Sequence, residues 1–316
     1  MKKLIFVVLL FLLAACSQEN DEAVTVRIAA LRGPTALGLL HMMDETRQGE
    51  LDYDFTLLGS PDEVPPLLVR GEIDIAAVPG NLAAILYAAQ GVDVQALAVV
   101  TLGVLHIVDT TGEIHNIEDL RGRTIFVSPP GATPEFALNY VLTQNGLTPG
   151  TDVNIEFRAE HTEIAALLEN GQAQIALLPE PFVSTVLARV DGLRIALDLT
   201  EEWNRVQADY GLIMSVVVGR REFIEQNPAV VEALLREYAE SVNFVVSNIP
   251  AAAELAVTHS IIPSVAIAEA ALPRTHIVFI TGEEMRRNLT GFYNVLLNEN
   301  PASVGGAIPG DDFFHR

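Results

Sequence analysis

From Val24 onward, short apolar runs of four to eight residues alternate with stretches whose apolar positions recur at helical spacing, the signature of alternating strands and helices. The first third reads as a strand from Val24, a helix from Pro34 to Arg47, a strand from Tyr53 to Leu58 and a helix from Pro61 to Arg70. A strand from Ile73 to Val78, a helix from Asn81 to Gln90 and a strand from Val94 to Val108, broken near Gly103, complete it. After one helical turn at Ile117, the pattern resumes with a strand ending at Val127, a helix from Pro134 to Asn145 and a strand from Asn154 to Arg158. A helix from Thr162 to Asn170, a strand from Ala173 to Leu178 and a strand from Leu193 to Leu197 follow. Residues 198–210 look irregular, and Ile213 to Val218 reads as a returning strand. Amphipathic helices are then expected at Arg221–Glu225, Pro228–Asn248, Pro250–His259, Val265–Ala271 and Glu283–Asn298, with a partly ordered Gly- and Pro-rich end from Pro301.

One stretch occurs twice. Gly71-Glu-Ile-Asp-Ile-Ala-Ala-Val-Pro79 returns as Gly171-Gln-Ala-Gln-Ile-Ala-Leu-Leu-Pro179, each a Gly turn, a short apolar strand and a Pro before an apolar helix. The likeness extends upstream, where Leu67-Leu68 and Leu167-Leu168 precede the glycines, and Ser60 and Glu63 have capping-box spacing around Pro61. Farther back, Arg27-Ile-Ala-Ala-Leu31 before Gly33 resembles Thr124-Ile-Phe-Val127 before Gly131. Two such units in one order imply two similar α/β lobes, with strand carboxyl ends facing a shared cleft. The chain passes between them twice, near Leu102 to His106 and near Gly211 to Val216, which makes a hinge.

The amino terminus changes the picture. Met1-Lys2-Lys3, an apolar run from Leu4 to Ala15 and then Cys16 have the form of a secretory leader, too short to span a bilayer comfortably. Residues 1–15 are expected to be a signal peptide and 16–23 a polar tether. Cys16 is the only Cys, which excludes an intramolecular disulfide and a Cys-based metal cluster. Without Lys2 and Lys3, 17 basic residues stand against 41 acidic ones, a formal charge of −24. Such a chain is not built to neutralise phosphates, which argues against nucleic acid as a partner.

Catalytic signatures are lacking: there is no Gly-x-Ser-x-Gly, no His-Glu-x-x-His, no Walker loop, and the seven His show no metal spacing. No cofactor or metal is expected. His41 reads as a partly buried polar residue, whereas His161 falls at the mouth of the expected cleft. The loops Gly33-Pro34-Thr35 and Gly131-Ala132-Thr133 each put small residues and a hydroxyl at a helix amino terminus, where free amides can meet a ligand oxygen. By the strand-end rule Asn81, Thr101, Gly103, Glu180 and Pro181 would line the same cleft, and Arg32 could meet an anionic group.

Six stretches together resemble the substrate-binding lipoproteins of ABC transporters, in the SsuA-like group that includes sulfonate, nitrate and taurine receptors and pyrimidine-precursor proteins. They are Leu13-Ala-Ala-Cys16, Ala29-Ala-Leu-Arg-Gly-Pro-Thr35, Gly71 to Pro79, Ile117-Glu-Asp-Leu-Arg-Gly-Arg-Thr-Ile125, Gly131-Ala-Thr-Pro-Glu135 and Leu178-Pro-Glu-Pro-Phe182. The resemblance implies a type II periplasmic-binding-protein fold, with residues 24–105 plus 214–316 in lobe 1 and 106–213 in lobe 2. It further implies a monomer outside the cytoplasm, lipidated at Cys16, that captures a small solute and serves an ABC permease and ATPase. The absence of a dense Arg or Lys cluster weighs against a small dense anion such as nitrate or sulfate. A larger, partly aromatic or neutral solute is expected instead, with Trp203 or Tyr210 stacking on it. An enzyme on the same fold is the alternative from another class, opposed by the export signal and by a lone Cys outside the folded part. A sensor or adhesin lipoprotein that reuses the fold is a third.

Overall fold

Residues 24–44, 47–207 and 210–316 are described by a computed structural model; the leader, Cys16 and the tether lie outside the described residues. In chain order the strands are β1 (Thr25–Leu31), β2 (Asp52–Leu58), β3 (Ile75–Pro79), β4 (Val94–Leu102), β5 (Leu105–Asp109), β6 (Thr124–Val127), β7 (Asn154–Phe157), β8 (Ile175–Pro179), β9 (Arg194–Asp198), β10 (Ile213–Arg220) and β11 (Ile277–Ile280). They form two separate sheets, β11-β4-β10-β3-β1-β2 and β7-β6-β8-β5-β9.

The sheets match strand for strand once β11 is set aside: β2-β1-β3-β10-β4 in one corresponds to β7-β6-β8-β5-β9 in the other. In each, the central strand of the repeated stretch pairs in parallel with the strand that opens its lobe, β3 with β1 and β8 with β6. Its other neighbour is antiparallel and arrives from the opposite lobe, β10 beside β3 and β5 beside β8. β5 follows β4 after only Gly103 and Val104, and β10 returns after helix Leu199–Val206. Both crossings therefore end in a sheet. This is the two-lobed α/β architecture of the type II periplasmic binding proteins.

Small residues let the central strands be covered on both faces. Ala29 and Ala30 of β1 stand beside Ala76 and Ala77 of β3, all buried, and helices pack above and below. One apolar cluster runs through both lobes, joining Val78 and Val216 to Ile107 and Val127.

Four sequence expectations are corrected here. The helix from Pro34 to Arg47 is α-helical only over Pro34–Leu37. Beyond it, Ser241 Oγ donates to the Gly38 carbonyl and accepts from the amides of His41 and Met42, replacing the next helical bonds. The irregular stretch after Leu197 contains helix Leu199–Val206, capped by Asp198 Oδ1 on the Thr200 amide. β11, four residues between two helices, carried too short an apolar run to be read. Finally, the carboxyl end is ordered: Phe313 and Phe314 are buried, and the His315 amide donates to Ala96 of β4.

Candidate functional site

Each sheet ends in loops that face the other lobe. The two glycine loops need glycine for their backbone, since Gly33 has φ 119° and Gly131 φ 74°, a region that side chains disfavour. Gly33 turns β1 into helix Pro34–Leu37, and its carbonyl accepts from the Ala36 amide. Thr35 is buried and spends its proton on the Leu31 carbonyl at 2.8 Å, so it offers only lone pairs; Thr101 Oγ1 lies 3.4 Å from the Pro34 carbonyl.

Two helix amino termini meet between the lobes. Asn81, second residue of helix Gly80–Ala88, accepts from Thr133 Oγ1 at 3.1 Å, and Thr133 opens helix Thr133–Gln144. Both side chains are buried. The Gly131 amide, which an anion could have used, donates to Glu135 Oε2 at 2.6 Å.

On the other flank a charged contact crosses the lobes. Glu180 follows β8 with its amide bonded to the Val104 carbonyl, and it is 0% exposed. Its Oε1 accepts from Arg274 Nε at 2.6 Å and its Oε2 from the Ser184 amide at 3.0 Å. Arg274 also donates through Nη2 to Ser184 Oγ at 2.6 Å. Around these contacts, helix Val265–Ala271 lies against helix Phe182–Leu187, and helix Gly282–Glu299 against helix Thr133–Gln144. The lobes touch on both flanks.

His161 opens helix His161–Glu169, with Nδ1 2.6 Å from Ser128 Oγ and its ring 5.1 Å from Phe182. Burial pushes its pKa down to about 4, so the ring is neutral at pH 7. His106, on β5, is buried with both ring nitrogens lacking a protein partner and Nδ1 3.9 Å from Asp198 Oδ2. Burial lowers its pKa against the opposing charges of Asp198 and Glu180. At the crossing, a Cβ on Gly103 would stand 1.8 Å from Thr200 Oγ1, so any side chain there would wedge the crossing apart. The Gly103 carbonyl is 2.5 Å from His276 Nδ1.

Trp203 is a correction. The structure places it in the core, 0% exposed, its Nε1 donating to the Tyr210 carbonyl at 2.9 Å and its ring against Tyr140 and Phe292. It presents no face to a solute, and Tyr210 lays its ring over Gly291. Arg32 is exposed and reaches the Ser260 carbonyl at 3.4 Å. Pro181 caps helix Phe182–Leu187 with its carbonyl accepting from Thr185.

Sequence reasoning missed Arg274, Ser184, His106 and Ser128. For Ser184 a signal existed, because the two copies of the repeat differ in polarity there: Ala84 stands where the second copy has Ser184, and Gly80 where it has Glu180. Arg274 had none, since it lies 94 residues from its partner. Among the described residues no group of three or more His, Cys, Asp or Glu is placed to hold a metal ion.

Comparison with known proteins gives the following. A family model described as ABC transporter, phosphonate, periplasmic substrate-binding protein matches residues 40–202. YtlA of Bacillus subtilis (strain 168) is 25% identical over 183 residues, 56% of this chain and 54% of that protein. The chain thus matches about half the length of that curated relative. The crystal structure of an ABC transporter from Parabacteroides distasonis is similar with a TM-score of 0.78 at 22% identity, over 92% of this chain and 99% of that one. The periplasmic aliphatic sulphonate binding protein SsuA from Escherichia coli is similar with a TM-score of 0.71 at 18% identity, over 90% and 92%. These two likenesses concern the fold.

Proposed function

This chain belongs to the phosphonate-type periplasmic substrate-binding proteins of ABC transporters, and from that premise we propose that it captures a small organic solute between its lobes and hands it to a membrane permease driven by a separate ATPase. The family is one of solute receptors and not of enzymes. The observation that carries the reading is the pair of interlobe contacts at the strand ends, Thr133 to Asn81 and Arg274 to Glu180, which bring the two hinged halves together. The solute would sit among the loops Gly33–Thr35 and Gly131–Thr133, with Asn81, His161 and Glu180 at its edges. Residues 24–105 with 214–316 form one lobe in this reading and 106–213 the other.

Closed receptors keep their solute through purification, so mass spectrometry of small molecules released from protein that was never unfolded should find one compound at near-stoichiometric amount. Adding it back at about a hundred times its Kd should stabilise the protein by about 2.7 kcal/mol without turnover. Release of a chemically altered product on incubation would sink the proposal.

Cys16 would carry the lipid that tethers the receptor outside the cytoplasm. A single acyl chain holds weakly, and a diacylated thiol supplies two. Cys16→Ser should therefore move the protein from the membrane to the soluble fraction; a variant that still sediments with membranes would rule the tether out.

A further inference from the structure

We propose that Glu180 is a built-in counter-anion that occupies the Arg274 guanidinium and excludes oxyanions from the interlobe site, so that the solute is an uncharged or cationic polar molecule. The proposal rests on the receptor reading above.

Arg274 reaches from one lobe to the other at the carboxyl end of β8. In a site made for a phosphonate, sulfonate or nitrate, such a guanidinium would give two parallel N–H groups to the ligand's oxygens. Here Nε is spent on Glu180 and Nη2 on Ser184. The Glu180 carboxylate is sealed from water, with one oxygen held by Arg274 and the other by the Ser184 amide. A second anion placed beside it would meet like charge in a poorly screened space.

Two helix starts where an oxyanion could be held carry carboxylates too, although helices Pro34–Leu37 and Gly80–Ala88 begin without one. Glu135 takes the Gly131 amide at the start of helix Thr133–Gln144. Asp198 takes the Thr200 amide at the start of helix Leu199–Val206. Apart from Arg32, which is exposed beside the Gly33 loop and donates to the Ser260 carbonyl, the remaining polar groups are uncharged. Thr133 and Asn81 pair as a hydroxyl and an amide, and Ser128 pairs with a neutral His161. His106, close enough to Glu180 and Arg274 to feel both charges, has two unpartnered ring nitrogens, which in the neutral ring offer one donor and one acceptor. Such a set suits a solute that both gives and takes hydrogen bonds.

The test is thermal unfolding of the mature wild-type protein and of Glu180→Gln with about 10 mM methylphosphonate, ethanesulfonate or nitrate, against chloride at equal ionic strength. The wild type should move by less than about 1 °C. Glu180→Gln leaves Arg274 with an uncompensated charge and should gain about 3 °C or more with methylphosphonate or ethanesulfonate; Arg274→Gln added to it should remove the gain. A wild type stabilised by about 3 °C by any of the three, or a folded Glu180→Gln no more responsive than wild type, overturns the proposal. If Glu180→Gln does not fold, the wild-type measurement and the retained solute decide. A retained phosphonate or sulfonate overturns the exclusion while leaving the receptor reading intact. A wild type whose melting is moved by no fraction of the host's small-molecule extract fails the receptor reading itself, and the exclusion with it.

Discussion

Trp203→Ala is expected to cost about 3–5 kcal/mol of unfolding free energy, the range for removing a fully buried aromatic side chain. The indole is completely enclosed, fills the space between Tyr140 of helix Thr133–Gln144 and Phe292 of helix Gly282–Glu299, and gives its N–H to the Tyr210 carbonyl. Those two helices belong to different lobes, so the cavity would open at a place where the lobes meet. Trp203→Phe keeps most of the volume and should cost less than half as much. Urea unfolding followed by circular dichroism measures both. A Trp203→Ala protein of near-normal stability that had lost its solute would return this residue to the stacking role that its sequence context suggested.

Asp74→Ala should also be severe, at about 3 kcal/mol, toward the lower end of what breaking a buried ion pair costs because Arg27 is partly solvated. Asp74 is 1% exposed and receives Arg27 Nη2 at 2.6 Å, Arg27 Nε at 2.8 Å and Arg220 Nη2 at 2.9 Å. It ties β1 to β10 at the start of the repeated strand, and the second copy has Gln174 in its place. Burial disfavours its charge, but hydrogen bonds from Arg27 and Arg220 outweigh burial and hold its pKa below the ordinary 3.8. A carboxylate with a depressed folded pKa binds its proton more readily when unfolded. Its stabilisation is therefore complete above pH of about 4 and drains away as the pH falls below that value. The stability gap between wild type and Asp74→Asn should accordingly be widest at neutral pH and narrow on acidification. A gap that stays constant down to pH of about 3 would show that Asp74 acts through shape and not through charge.

The two-lobed plan was legible because its strands are written in small and β-branched residues that only a doubly covered sheet tolerates. Ile75–Pro79 and Ile175–Pro179 have the same length and hold corresponding positions in their sheets. The glycine loops were legible for a similar reason, since Gly33 and Gly131 answer to local backbone geometry. What stayed hidden depends on contacts between distant parts of the chain. Ser241 shortens the helix that begins at Pro34 from about two hundred residues away, and no local pattern could announce it. Trp203 was misread because an aromatic in a seemingly irregular stretch looks like a ligand platform. The Asp198-Leu-Thr-Glu run before it was a helix-capping signal that placed the ring on an ordered helix instead. The charged interlobe contact is the extreme case: Glu180 was singled out by its strand-end position, while Arg274 follows a short helix with nothing to distinguish it.

The two chain crossings have a consequence for anyone who would recombine such receptors. The first lobe cut as a single stretch ending at Gly103 would have a vacant slot in its sheet beside the repeated strand β3, where the strand that returns at Ile213 belongs. Its unsatisfied amides and carbonyls would invite pairing with any extended chain nearby. Chimeras that swap one half must therefore be cut at two seams, at Gly103–Val104 and just before Ile213, so that the guest brings the segment its own sheet requires.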